Sequence, residues 1–205
     1  MSKNKPTHRP EAHSDLRFAI VASRYNTKHV DYLISRVQQK LRESKIPSSG
    51  IDVSRVPGAN ELPYIANMLA LTGDYDCIIA LGVVIAGETP HHEIIANGTA
   101  TALQAVGINT QVPVINGIIV TNNEAQADER VFGETDRGAE FALAALDMAA
   151  SGLRLARYLE ELDRDDIERE RNEEIFGSNF LHDEDDDDDI SGGFSLGGNN
   201  PFHKN

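Results

Sequence analysis

An α/β domain, built on one mainly parallel four-stranded sheet with helices on both faces, is the fold class that this chain predicts. Two observations point to it. Four apolar segments, 18–22, 51–56, 77–85 and 112–121, alternate with segments of helical pattern, and that alternation implies right-handed crossovers between parallel strands. The chain has 205 residues and 40% hydrophobic content, enough for one ordinary core with appendages.

Each element follows from local pattern. Residues 1–15 are polar, contain Pro6 and Pro10, and read as a flexible N-terminal arm. After the first strand, a helix carries Val30, Leu33, Ile34, Val37 and Leu41 on one face at helical spacing. Residues 46–50 form a turn and 51–56 the second strand. A second helix over 62–71 is ended by Thr72 and Gly73. The third strand, 77–85, leads to a helix from Pro90 to about Val106, and the fourth strand spans 112–121. Two helices, 124–131 and from Asp136 onward, close a body covering residues 16–159.

Charge is distributed unevenly. The formal net charge is −14, yet residues 1–159 hold 17 acidic and 15 basic side chains, while 160–205 hold 16 acidic and 4 basic ones. The body is near neutral and the acidity belongs to the tail, which argues against a nucleic-acid ligand. The single cysteine, Cys77, lies in an apolar strand and cannot form an intrachain disulfide. A reducing, cytoplasmic setting is expected. Without an apolar run of membrane-spanning length or a signal-like N-terminus, the chain is expected to be soluble, with no membrane partner.

The segment from Gly82 to Glu93 carries most of the chemistry. An apolar strand runs into Gly87, and Thr89-Pro90 then opens a helix whose first turn holds His91. A strand, a glycine turn and a helix N-terminus in that order bring backbone N–H groups and the positive end of a helix dipole to one point, an anion site. Thr89 is the expected cap, Pro90 suits the first helical position, and Glu93 complements the dipole. Taken alone, the same residues also describe a helix start capped for stability, with His91 and His92 as partly exposed first-turn residues.

Four other segments make the pattern specific. Ser23-Arg24-Tyr25-Asn26 follows the first strand, and Val56-Pro57-Gly58-Ala59-Asn60-Glu61 follows the second. Gly117 to Thr121 lies in the fourth, and Glu124 to Arg130 is followed by Arg137-Gly138-Ala139-Glu140. In this order and spacing the segments resemble the lumazine synthase family, which makes 6,7-dimethyl-8-ribityllumazine, over roughly residues 16–159. The resemblance implies a flavodoxin-like three-layer α/β/α sandwich. It also implies a homopentamer or an assembly of pentamers, because the family's active site is completed by a neighbouring subunit. Riboflavin synthase is a candidate partner.

By the same resemblance, Tyr25 is the aromatic that stacks on the substrate pyrimidine, although by itself it would also read as a core aromatic at a strand end. Ala59, Asn60 and Glu61 belong to the loop that binds the ribityl chain, where a carboxylate can accept from sugar hydroxyls. Val83, Val84 and Ile85 form the strand end whose backbone reads the pyrimidine edge, and Asn116 occupies a further position near that ring. Glu88 and Thr89 hold the phosphate with Arg130, whose guanidinium can grip it bidentately. Glu140 is expected to orient Arg130, and Arg137 supplies a further positive charge. His91 is the catalytic candidate.

The implied reaction condenses 5-amino-6-ribitylaminouracil with 3,4-dihydroxy-2-butanone 4-phosphate, releasing phosphate and water. Imine formation, elimination and ring closure need proton transfers near neutrality, which suits imidazole. Neither a metal nor another cofactor is expected: His91 and His92 are adjacent, project about 100° apart on a helix, and lack the spacing of a zinc pair. Four positions depart from the family pattern. Asn60 and His92 replace aromatics, Ala86 replaces a frequent arginine, and Asn116 replaces a phenylalanine. These departures leave two alternatives open, a shell protein without activity and a related riboflavin synthase of the same superfamily.

Residues 160–205 fall outside the resemblance. Charges of both signs over 160–174 continue the last helix, and the acidic run 183–189 precedes a Gly-rich end. That composition cannot build a core and reads as a charged helical extension followed by a disordered tail. Deletion of residues 178–205 removes seven acidic side chains and Lys204. The truncated chain is expected to keep its catalytic rate while shifting toward larger assemblies at low salt, since tail charges repel over about 8 Å in physiological salt. Native mass spectrometry across a salt series checks the assembly, and loss of activity in a folded truncation would contradict the partition.

Overall fold

The structure, a computed structural model, describes residues 14–179. Most of the expected N-terminal arm, the acidic run and the Gly-rich end lie outside the described residues. Four strands, β1 (Phe18–Ser23), β2 (Ile51–Val56), β3 (Cys77–Ile85) and β4 (Val114–Thr121), form one sheet in the order β2-β1-β3-β4. Every neighbouring pair is parallel. The helices among the described residues are α1 (Thr27–Glu43), α2 (Leu62–Ala70), α3 (His91–Thr110), α4 (Glu124–Phe132) and α5 (Arg137–Asn179), with 3₁₀ turns at Ser48–Gly50 and Ala59–Glu61. The expected three-layer fold is the observed one.

Side-chain alternation along β3 explains why both faces are covered. Cys77, Ile79, Leu81 and Val83 enter one core with α1, α4 and α5, while Ile78 and Ala80 enter a second with α2 and α3. Helix α1 supplies Val30, Leu33, Val37 and Leu41 to the first core, all fully buried, with Ile34 packed against it. Helix α2 supplies Leu62, Ala66 and Ala70 to the second, and α3 adds Leu103 and Val106. Each fully buried Leu, Ile or Phe is worth about 2 kcal/mol, whereas an exposed ion pair is worth about 0–1. Apolar patterning therefore decides the topology.

Element boundaries differ from the sequence expectation where backbone chemistry intervenes. Strand β4 begins at Val114 rather than Val112, because Pro113 has no N–H for the ladder, although its carbonyl still accepts from Ile78 N–H at 2.9 Å. Helix α3 runs to Thr110, beyond Val106, and stops at Gln111, whose φ of 58° is left-handed. Glycine at 117 is required by close approach: a Cβ there would lie 2.7 Å from Leu81 Cδ2 and 2.9 Å from the Ala80 carbonyl. Among the described residues the chain divides into two units after Leu159. Within α5, Ala142, Ala145, Leu146, Ala149 and Ala150 are buried and residues 154–173 are exposed.

A polar strap joins α1 to the start of α5. Arg36 reaches the Asp136 carboxylate with Nε 3.1 Å from Oδ2 and with its terminal nitrogen in contact as well, and Asp136 Oδ1 accepts from Ala139 N–H at 3.0 Å. The Arg36 guanidinium holds the Asp136 carboxyl below its usual range, with the Ala139 bond helping and partial burial opposing. A depressed folded pKa contributes stability that is present above the unfolded value, about 3.9, and is lost as pH falls through the folded value. Asp136→Asn is therefore expected to lower stability by about 1 kcal/mol at pH 7 and by progressively less as pH drops below about 4. Urea unfolding midpoints of both proteins at the two pH values check this, and a gap that persists in acid would contradict it.

Candidate active site

The carboxyl ends of all four strands share one rim, and strand order reverses between β1 and β3, where open parallel sheets bind ligands. Strand β3 outruns β1 there. It pairs with β1 only as far as Leu81 but with β4 through Ile85. The backbone of residues 82–85 thus borders the crevice at the reversal.

The Tyr25 loop is fastened to the strand ends on either side. Arg24 N–H donates to the Val56 carbonyl at 2.9 Å, and the Asn26 side-chain amide donates to the Val83 carbonyl at 2.8 Å. Asn26 itself adopts a φ of 53°, a left-handed conformation that asparagine tolerates better than most residues. Between these two anchors, Tyr25 is 73% exposed, so its ring is available for stacking and is not a core aromatic. A Cβ at Gly58 would lie 3.5 Å from that ring, which places the loop after β2 beside it.

Glu61 Oε2 accepts from Gly58 N–H at 2.8 Å, holding the turn that contains buried Ala59 and exposed Asn60. Glu61 remains exposed, and a carboxylate with one oxygen so engaged can still accept from a hydroxyl. Val83 is buried, Val84 and Ile85 are half-buried, and Ala86 N–H donates to the Thr121 carbonyl at 2.8 Å. Tyr25, Ala59, Asn60, Glu61 and the end of β3 thus occupy adjoining positions on the rim.

The turn after β3 departs from expectation in detail. Glu88, Thr89 and His91 are exposed, as anion contact requires. Helix α3, however, begins at His91, with Pro90 just outside it, and Thr89 does not cap through its hydroxyl. Instead the Thr89 carbonyl accepts from His92 Nδ1 at 3.3 Å. Proline at the boundary leaves no side-chain cap, so the Thr89 hydroxyl points to no helix N–H.

Four expected residues, Arg130, Arg137, Glu140 and Asn116, are not gathered at this rim within one chain. Arg130 lies exposed in the last turn of α4, whose buried residues belong to the α1 face of the sheet, while His91 heads α3 on the opposite face. Glu140 pairs with Arg137, at 2.7 Å, rather than with Arg130, because the two are three residues apart on α5. Asn116 sits mid-strand opposite Ala80 on edge strand β4, and its Oδ1 accepts from Ile118 N–H at 3.1 Å. Sequence reasoning named Asn26 and His92 without giving them the part of setting the two loops, and it passed over the His29–Asp128 contact between α1 and α4. A left-handed-tolerant asparagine just before a helix was the available signal for the first. Among the described residues no cluster of three or more His, Cys, Asp or Glu side chains could hold a metal ion.

Comparison with known proteins identifies the family. The sequence profile of the 6,7-dimethyl-8-ribityllumazine synthase family matches residues 15–152. A protein of Xylella fastidiosa (strain M12) with that name is 42% identical over 135 residues, 65% of this chain and 88% of the relative. Another of that name, from Xanthomonas oryzae pv. oryzae (strain PXO99A), is 44% identical over 133 residues, 64% of this chain and 86% of the relative. The matched segment contains all four strands and every rim loop. This chain belongs to the 6,7-dimethyl-8-ribityllumazine synthase family.

Proposed function

We propose that the strand-end rim is the catalytic centre of a 6,7-dimethyl-8-ribityllumazine synthase. The chain condenses 5-amino-6-ribitylaminouracil with 3,4-dihydroxy-2-butanone 4-phosphate, a step of riboflavin biosynthesis, and phosphate and water leave. The observation that carries the site is the fastening of the exposed Tyr25 ring beside the Gly58–Glu61 turn and the end of β3, through the Arg24 and Asn26 bonds. The pyrimidine stacks on Tyr25, the ribityl chain bonds to Glu61 across the Ala59–Asn60 turn, and the backbone of Val84 and Ile85 meets the ring edge.

The phosphate lies at the Glu88–Thr89 turn, where the start of α3 presents N–H groups. His91, in the first turn of α3, moves protons during imine formation, elimination and ring closure. The protein supplies no covalent nucleophile in this scheme. Its contribution is alignment of two reactants and electrostatic stabilisation of the departing phosphate.

Arg130 reaches that phosphate from a second copy of the chain. Support for this comes from the placement of α4 and α3 on opposite faces of one sheet, and from the open crevice of a single chain, with Tyr25 73% and Ile94 67% exposed. A ring of copies, a homopentamer or an assembly of pentamers, brings one chain's α4 to the next chain's rim. Asn116, Arg137 and Glu140 then serve at the shared boundary, Asn116 by presenting a polar group toward the pyrimidine and the Arg137–Glu140 pair by supporting the charge of the phosphate region. A cytoplasmic location and riboflavin synthase as the consumer of the product complete the proposal.

The test is steady-state condensation by the full chain. Arg130→Ala is expected to raise KM for the phosphorylated four-carbon substrate roughly tenfold or more, because it deletes a charge-assisted contact. His91→Ala is expected to lower kcat roughly 100-fold at nearly unchanged KM, the usual scale for a positioned proton carrier. A no-enzyme control sets the background. Equal and small effects from both changes would contradict these roles, and absence of product from the unmodified protein would favour the inactive-shell reading.

A further inference from the structure

The contact between α1 and α4 involves a buried histidine that the condensation scheme leaves unused. His29, in the first turn of α1, is 4% exposed, and its Nε2 lies 2.8 Å from Asp128 Oδ1 on α4. The same imidazole stacks on Phe132, with centroids 5.1 Å apart and an interplanar angle of 28°. Tyr32 meets the Phe132 ring edge-on at 5.0 Å, and Lys28 Nζ stands 5.1 Å from its centroid. Three side chains of one short stretch of α1, Lys28, His29 and Tyr32, thus hold both ends of a single turn of α4.

Arg130 lies midway between Asp128 and Phe132. On a helix, residues four apart share a face, and the residue between them projects about 160–200° away. Asp128 and Phe132 therefore face α1 together, and Arg130 points outward, where it is exposed. Helix α4 has only nine residues and buries just Ala127 and Val131. A helix so short is marginal by itself, and two small apolar contacts leave its rotation loosely defined. The directional His29–Asp128 bond and the Phe132 stack set that rotation.

Packing alone does not account for a histidine at this position. A buried imidazole must find hydrogen-bond partners, a cost that leucine would avoid while filling similar space. The half-exposed Asp128 carboxylate, 48% accessible, is the partner supplied. We infer that His29 and Asp128 are positioning residues for phosphate recognition, aiming Arg130 at the four-carbon substrate by fixing the rotation of α4. The inference rests on the assignment of Arg130 to the phosphate made above.

Steady-state kinetics of the full chain test it, with His29→Leu, His29→Gln, Asp128→Ala and Asp128→Asn each made alone and together with Arg130→Ala. His29→Leu and Asp128→Ala are expected to raise KM for the phosphorylated substrate about fivefold, with kcat within about twofold and KM for the pyrimidine unchanged. His29→Gln and Asp128→Asn, which keep an N–H donor facing an oxygen acceptor, restore KM to within about twofold. With Arg130→Ala present, neither disruptive change raises KM further. If Arg130→Ala raises KM while His29→Leu and Asp128→Ala do not, the positioning role is overturned and the Arg130 assignment stands. If Arg130→Ala leaves KM unchanged, the assignment and this inference fall together. An equal rise in both backgrounds shows that the pair acts other than through Arg130. Should His29→Leu fail to fold, Asp128→Ala, which removes only a half-exposed carboxylate, gives the decisive reading.

Discussion

Where the pairing of β3 stops on each side determines the rest of this structure. It is hydrogen-bonded to β1 through Leu81 and to β4 through Ile85, so its last residues extend past β1 and border the crevice where strand order reverses. The side chains beneath that end are committed to two cores, which prevents the strand from sliding: a one-residue slip would exchange Leu81 and Val83 for Ala80 and Gly82 on each face. A rim supported in this way can carry polar loops without deforming. Function then requires only that the loops be fastened to it.

The fastening is local and inexpensive. Arg24 N–H donates to the Val56 and Pro57 carbonyls, the side chains of Asn26 and Glu61 each make one hydrogen bond to backbone, and a typical intramolecular hydrogen bond contributes about 1 kcal/mol. Such bonds could not establish the fold, which the apolar interior decides, but they suffice to place Tyr25 against the Gly58 turn. The opposite face works differently. There α4 is short and little buried, and its orientation depends on polar and aromatic contacts with α1. A substrate contact carried by α4 is therefore more sensitive to single side chains than one carried by the sheet.

Strand identity and order of elements were legible in the amino-acid pattern because the period of the apolar residues and the Gly-containing turns leave few alternatives. The placement of Tyr25, Glu61, Thr89 and His91 in the segments past the strand ends was legible as well, while their roles were read from the family resemblance. Less was visible where the chemistry depends on three-dimensional partners. Thr89 reads as a cap in one dimension, but the start of α3 at His91 moves the helix N–H groups beyond its hydroxyl. Glu140 pairs with Arg137 because helical spacing brings them together, a nearer choice than Arg130 on another element. His29 and Asp128 are 99 residues apart, and no local pattern announces their contact. Asn116 lies on edge strand β4 opposite Ala80, away from the strand ends that carry the other rim residues.

The most direct measurement of the central claim is a crystal structure of the full chain with a non-reacting ribitylaminouracil analogue and inorganic phosphate. In that crystal the pyrimidine ring is expected to stack on Tyr25, a ribityl hydroxyl to bond to Glu61, and the phosphate to lie at the turn of residues 88–91 with Arg130 of a second copy closing over it. A pyrimidine bound away from the β1–β3 crevice, or a phosphate that touches neither that turn nor Arg130, would contradict it.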